Sequence, residues 1–264
     1  KAVRAISALR VAWESDAAAL ALDIDGRSEA GEWQTLFSTT QAGANHSDIF
    51  LGLQLVNAVR LRLNASVNGQ FVGINALELV PVERARSLVE FLHDVARREP
   101  AGVLPKYLRR LQSYWTVFGA PDCHAQGLIN EEGMIEVQRA GFALEPFVLH
   151  DGRWLSWAEA RHSQSLDNGF VPVPSVLADF CKVALTVSAT AVKASNVWCA
   201  WLRYEVKNAG NTPANLKLAL LARPFQVVPP WQSYREFGGV HPIHRAEWMH
   251  GALCVDRSLW VIPQ

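Results

Sequence analysis

Residues 181–191, CKVALTVSATA, and 198–208, WCAWLRYEVKN, decide the fold class. In the first, Val183, Leu185, Val187 and Ala189 occupy every second position; in the second, Trp198, Ala200, Leu202, Tyr204 and Val206 do the same. Side chains alternate between the two faces of a strand, so this period of two predicts a pair of β-strands, each with one apolar face. Trp198 and Trp201 are three positions apart and therefore fall on opposite faces, which puts at least one of them in the core.

The same pattern extends outward in both directions. ALALDID (19–25) and AVRLRLNA (58–65) are apolar-rich and partly alternating, with polar, glycine-bearing turns around them. LKLALLA (216–222) reads as a further strand, and ALCVDRSLWVI (252–262) as a hairpin across Asp256, Arg257 and Ser258. No strand–helix–strand alternation occurs, which excludes a parallel α/β sheet. Between the β regions the period changes. In VERARSLVEFLHDVARREP (82–100) the apolar residues Val82, Ala85, Leu88, Val89, Leu92, Val95 and Ala96 recur at helical spacing. A second helix is expected in LPKYLRRLQSYWTVFG (104–119), with Pro105 in its first turn, Leu104, Leu108, Leu111 and Trp115 on one stripe, and Gly119 as a cap. The expected architecture is all-β dominated: a β-sandwich of jelly-roll type over 1–81, a helical connector over 82–119 and a second sandwich over 120–264.

Composition narrows the function. The chain has 264 residues, half of them apolar, and a formal charge of zero. This describes a packed protein, and it argues against a nucleic-acid partner. No apolar run is long enough to span a membrane as a helix. The four cysteines, Cys123, Cys181, Cys199 and Cys254, lack metal or redox spacing and read as buried free thiols. NHS at Asn45 and NAS at Asn64 match the glycosylation sequon but by themselves assign no compartment. The start at Lys1 and the strand-like end SLWVIPQ read as those of a piece of a longer protein.

Phosphate loops, dinucleotide fingerprints and the G-x-S-x-G elbow are missing from the sequence. His241, His244, Glu247 and His250 carry metal-ligand chemistry, but steps of three turn each ligand away from the last on a helix, and Pro242 with Gly238 and Gly239 reads as a loop. No metal or cofactor is expected. Glu131, Glu132, Glu136, Glu145, Asp151, Glu159 and Asp167 crowd one region, where a pair could serve glycosidic cleavage. Ten tryptophans are the compositional excess. Indole faces stack on the C–H faces of sugar rings, so Trp154, Trp157 and Trp231, set among turn formers, are the candidate ligand-binding residues. Gln232 joins them, because Pro224, Pro229 and Pro230 stiffen RPFQVVPPWQ (223–232) into a path that presents Trp231 and Gln232.

WESDAAALALDIDGRSEAGEWQTL (13–36), AVRLRLNA (58–65) and GINALELV (73–80) together resemble the latter part of a discoidin, or coagulation factor five/eight C-type, domain. SYWTVFG (113–119), EEGMIEV (131–137), FALEPFVLHDGRWLSWAEA (142–160), QSLDNGFVPVPSV (164–176), LLARPFQVVPPWQ (220–232) and GGVHPI (238–243) resemble large bacterial proteins of discoidin type. In these, a β-supersandwich like that of galactose mutarotase precedes a six-hairpin helical toroid like that of glycosidases and disaccharide phosphorylases. The resemblance implies a supersandwich over 120–264, a carbohydrate ligand, and a C-terminal helical domain of the same parent chain as partner. It also implies that catalytic acids belong to that domain, so that this portion is itself non-catalytic. Two other readings stand beside it. One is a stand-alone carbohydrate-binding or adhesion module. The other is a mutarotase-type epimerase drawing on His150, His162 or His241.

Overall fold

The computed structural model describes all residues except 1, 41, 44, 70, 122–125, 139, 195–196, 233–238, 258 and 264, and for strand residues 64, 65, 194, 259 and 260 it describes the backbone alone. Cys123, Gly238 and Ser258 therefore lie outside the described residues. The protein is mostly β, with antiparallel sheets and one α-helix among the described residues. It divides into two compact units, Lys1–Glu99 and Pro100–Gln264.

In the first unit, β1 (Arg4–Trp13) is the centre of one three-stranded sheet, and β2 (Ala19–Arg27) is the centre of another. β3 (Trp33–Thr39) and β5 (Ala58–Ser66) flank β2, while β4 (His46–Val56) and β6 (Ile74–Pro81) flank β1. Alternation explains how the sheets share a core. Leu9, Val11 and Trp13 of β1 meet Leu22 and Ile24 of β2 and Ile49 of β4. The intervening Arg10 of β1 faces the other side, opposite Asp48 on β4 and Glu78 on β6. On that side lies α1 (Leu88–Arg98), whose Phe91 ring stands 5.8 Å from that of Phe50. The helix starts where its caps allow: the Ser87 hydroxyl accepts the Glu90 N–H, and the Glu90 carboxylate accepts the Arg86 N–H.

A buried ion network joins sheet and helix. The Arg10 side chain, 8% exposed, donates from Nε to Asp48 Oδ1 at 2.6 Å and lies 2.7 Å from Asp94 Oδ2. Arg97 and Arg98 reach Asp94 from the last helical turn, and Arg84 and Arg98 reach Glu78. In the second sheet, Asp25 is held at a pKa of about 2, because hydrogen bonds from Arg62, Thr35 and Arg60 outweigh the burial that works to raise it.

The described residues of the second unit form three sheets. The largest contains β7 (Trp115–Gly119), β8 (Gln126–Asn130), β9 (Ile135–Glu136), β10 (Ala143–His150), β11 (Arg153–Leu155) and, paired along β10, β16 (Leu216–Arg223). Four long strands form the next: β12 (Arg161–Asp167), β13 (Val171–Asp179), β14 (Val183–Ala194) and β15 (Val197–Asn208). A small sheet near the end comprises β17 (Ala246–Met249), β18 (Ala252–Val255) and β19 (Leu259–Val261). Val183, Leu185, Val187 and Ala189 of β14 are buried with Phe118, Ile129, Ile135 and Val148 of the first sheet, and Leu202, Tyr204 and Val206 of β15 pack against them. The alternation in 181–191 and 198–208 thus points these side chains inward. No helix among the described residues is long and apolar enough to cross a membrane.

The helical expectations fare unequally. The amphipathic stretch of 82–100 is α1, preceded by a 3-10 turn at Val82–Arg84, and it belongs to the first compact unit. The second helix, expected over 104–119, does not form. Lys106–Arg109 makes one 3-10 turn closed by left-handed Arg110 (φ 62°), and Trp115–Gly119 is a strand. Trp115, Thr116, Val117 and Phe118 are aromatic or β-branched, and pairing with β8 outweighs their helical spacing. Among the cysteines, Cys254 is buried but Cys181 is exposed, which corrects the expectation that all are buried; both are free, as is Cys199.

Across β7 and β8, Phe118 lies opposite Gly127, and a methyl group at Gly127 would come within 2.2 Å of the Phe118 ring. Gly127→Ala is expected to lower stability by about 1–3 kcal/mol through overpacking. A melting temperature equal to that of the wild type would show that the ring swings aside freely.

Candidate functional site

The phase of β14 that buries its odd-numbered residues turns Thr186, Ser188 and Thr190 outward. Register aligns them with neighbours of the same face. Ser175 pairs with Ser188, which pairs with Arg203; Ser165 pairs with Ser175; Thr190 pairs with Trp201. The outcome is a groove of about 530 Å³ floored by hydroxyls, with Trp201 and Arg203 along β15 and Asp167 and Asn168 at the β12–β13 turn. That turn is tight: Asn168 has φ 48°, and the Gly169 N–H donates to Leu166 O.

The groove combines an apolar platform with polar groups. Trp201 is 53% exposed. Trp198, on the other face, is partly buried against the core and lies 6.4 Å from Phe118 in a stacked arrangement. The Ser175 and Ser188 hydroxyls share a hydrogen bond of 2.7 Å, and Arg203 pairs with Glu205 at 2.6 Å. Such a surface can stack a ring and offer donors and acceptors around it.

The tryptophans singled out from the sequence are dispersed. Trp154 is exposed on β11. Trp157 opens the following 3-10 turn, inside a Ser156–Glu159 capping box, and its indole N–H donates to Leu104 O at 3.0 Å. Trp231 and Gln232 share the short turn Pro230–Gln232, with Trp231 edge-on to Tyr107 at 6.0 Å. The rest of RPFQVVPPWQ is tied down: Phe225, Gln226 and Val227 are buried, Phe225 bridges Val240, and the Gln226 N–H donates to Gly239 O.

The crowd of acids separates into different roles. Glu159 caps its turn, Asp151 is exposed beside His150, and Glu131 and Glu132 both engage Lys106. Glu136 accepts N–H bonds from Val227 and Ala140, and burial still raises its pKa. Glu145 lies 3.1 Å from Arg223, yet burial pushes it up to about 7, with the charge of Glu132 adding to the effect. Burial likewise pushes Glu132 to about 7 against the pull of Lys106. A value of about 7 leaves each carboxyl partly protonated at neutrality, the range a general acid uses. Their side chains are only 7% and 6% exposed, however, so they are enclosed away from a substrate.

His162 is half-buried on β12, where desolvation and Lys106 lower its pKa; His150 ends β10; and His241 follows the Val240 bridge. Among the described residues, His241, His244, Glu247 and His250 form no group close enough to share an ion, and Glu247 pairs with Arg245 instead. The groove itself carried one signal in the sequence, the alternation of Thr186, Ser188 and Thr190 on the strand next to that of an outward Trp201. In comparisons with known proteins, the chain matches no family model, no curated protein and no solved structure.

Proposed function

We propose that this chain is the non-catalytic, carbohydrate-binding portion of a larger carbohydrate-active protein, and that it holds sugar in the groove on β12–β15. In this reading the first unit is a sandwich of discoidin type and the second a supersandwich, in line with the resemblance of their sequences. The turn carrying Trp231 and Gln232 serves as the docking surface for a helical catalytic domain. The carrying observation is the outward Trp201 above a floor of hydroxyls. The enclosure of Glu132 and Glu145 supports a binding role over a catalytic one, because neither carboxyl meets the groove lining.

A glycan array followed by calorimetry on the best sugar tests this reading. Trp201→Ala is expected to weaken binding by about tenfold or more, corresponding to at least ~1.4 kcal/mol. Trp231→Ala is expected to leave it unchanged. Loss with Trp231→Ala and none with Trp201→Ala would move the site to the turn, and absence of any glycan binding would remove the proposal.

A further inference from the structure

We infer that His46, Asp48 and Glu99 of the first unit form a binding site for a zinc-class divalent cation, through one imidazole nitrogen and two carboxylate oxygens. No spacing in the sequence points to this site: two of the donors begin β4, and the third follows α1 far along the chain. Folding places His46 Nε2 3.0 Å from Glu99 Oε1 and 3.5 Å from Asp48 Oδ2. All three donor atoms lie within 4.8 Å of one another. Donors about 2.1 Å from zinc are ~3.0 Å apart along an octahedral edge and ~3.4 Å apart along a tetrahedral one. The two measured separations therefore match neighbouring positions around a single ion.

Three features of the surroundings favour a cation. His46 and Asp48 are two apart on β4, so they project from the same face without strain. Asp48 is held through its other oxygen, since Oδ1 accepts from Arg10 Nε, and Arg10 is fixed in turn by Asp94. This is how a ligating carboxylate is usually oriented, with one oxygen anchored and the other presented. Glu99 is the C-cap of α1, where the partial negative charge of the helix end disfavours a carboxylate unless a cation lies near. A mixed nitrogen and oxygen set suits zinc, cobalt or manganese better than calcium, which takes six to eight oxygens. The His46 side chain is 51% exposed, so water can complete the coordination sphere.

The competing account is that protonated His46 simply bridges two carboxylates. Titration of the whole protein with zinc alone, read by calorimetry, and with cobalt, read by visible absorption, separates the two. The expected result is one saturable equivalent at micromolar zinc, weakened at least ~tenfold by His46→Ala and also weakened by Glu99→Gln. His241→Ala, a histidine of the other unit, should leave it intact. Because His46 is at the surface, His46→Ala should melt as the wild type does in the absence of metal. The same isotherm for His46→Ala and wild type, or no saturable binding at about 1 mM zinc, would overturn the assignment.

Discussion

Arg10→Ala is expected to cost about 3–5 kcal/mol, because it removes the buried cation that faces both Asp48 and Asp94. Asp94 is 8% exposed and Asp48 19%, and both make close contacts with the guanidinium. Arg10 also lies over the Phe91 ring at 5.2 Å, so truncation removes packing between sheet and helix as well as charge. Arg97 and Arg98 remain near Asp94, but both are largely solvated and compensate weakly. Denaturant unfolding of the variant, compared with Asp94→Ala and the double variant, measures the coupling. A loss below about 1 kcal/mol for Arg10→Ala would show that water screens the network as it does at a surface. The network also sets an acid limit. For Asp94 and Glu78, hydrogen bonds and charge from the arginines outweigh burial and hold the pKa below the ordinary range. Their contribution is present above that range and is lost as pH falls through the depressed values.

The second unit is expected to respond in the opposite direction. Glu132 and Glu145 have folded pKa values of about 7, raised from 4.5 chiefly by burial. A carboxyl raised in the folded state binds more protons than it does unfolded, so its stabilisation is complete below the ordinary value and disappears as pH climbs through 7. One such group, fully expressed, corresponds to roughly 3 kcal/mol between pH 5 and pH 8. The two interact, so they titrate as a coupled pair rather than as independent sites. Melting followed from pH 5 to pH 8 should show the second unit losing stability, while the first is little affected. Glu145→Gln keeps the shape of the side chain and removes the charge, so it should flatten this slope and raise the melting temperature at pH 8. A slope identical in Glu145→Gln and wild type would mean that Arg223 neutralises Glu145 completely.

Local pattern carried much of the fold. The alternation of 181–191 and 198–208, the helical period ending in α1 and the strand at 216–222 all correspond to elements of the structure, because each depends on which side chains face inward over a few residues. The failed helix at 104–119 shows where such reading stops. Its apolar stripe is compatible with a helix, and only the chance to pair with 126–130 makes Trp115–Gly119 a strand.

The same division holds for function. Composition and period by themselves determined a mostly β chain, an excess of tryptophan, and opposite faces for Trp198 and Trp201, since these follow from residue type and strand geometry alone. Which acids are buried, which tryptophan stands over hydroxyls, and the meeting of His46 and Asp48 with Glu99 were decided only by tertiary structure. Strand register and helix docking bring together residues distant in the chain, and desolvation, which separates Glu145 from Asp151, exists only once the neighbours are in place.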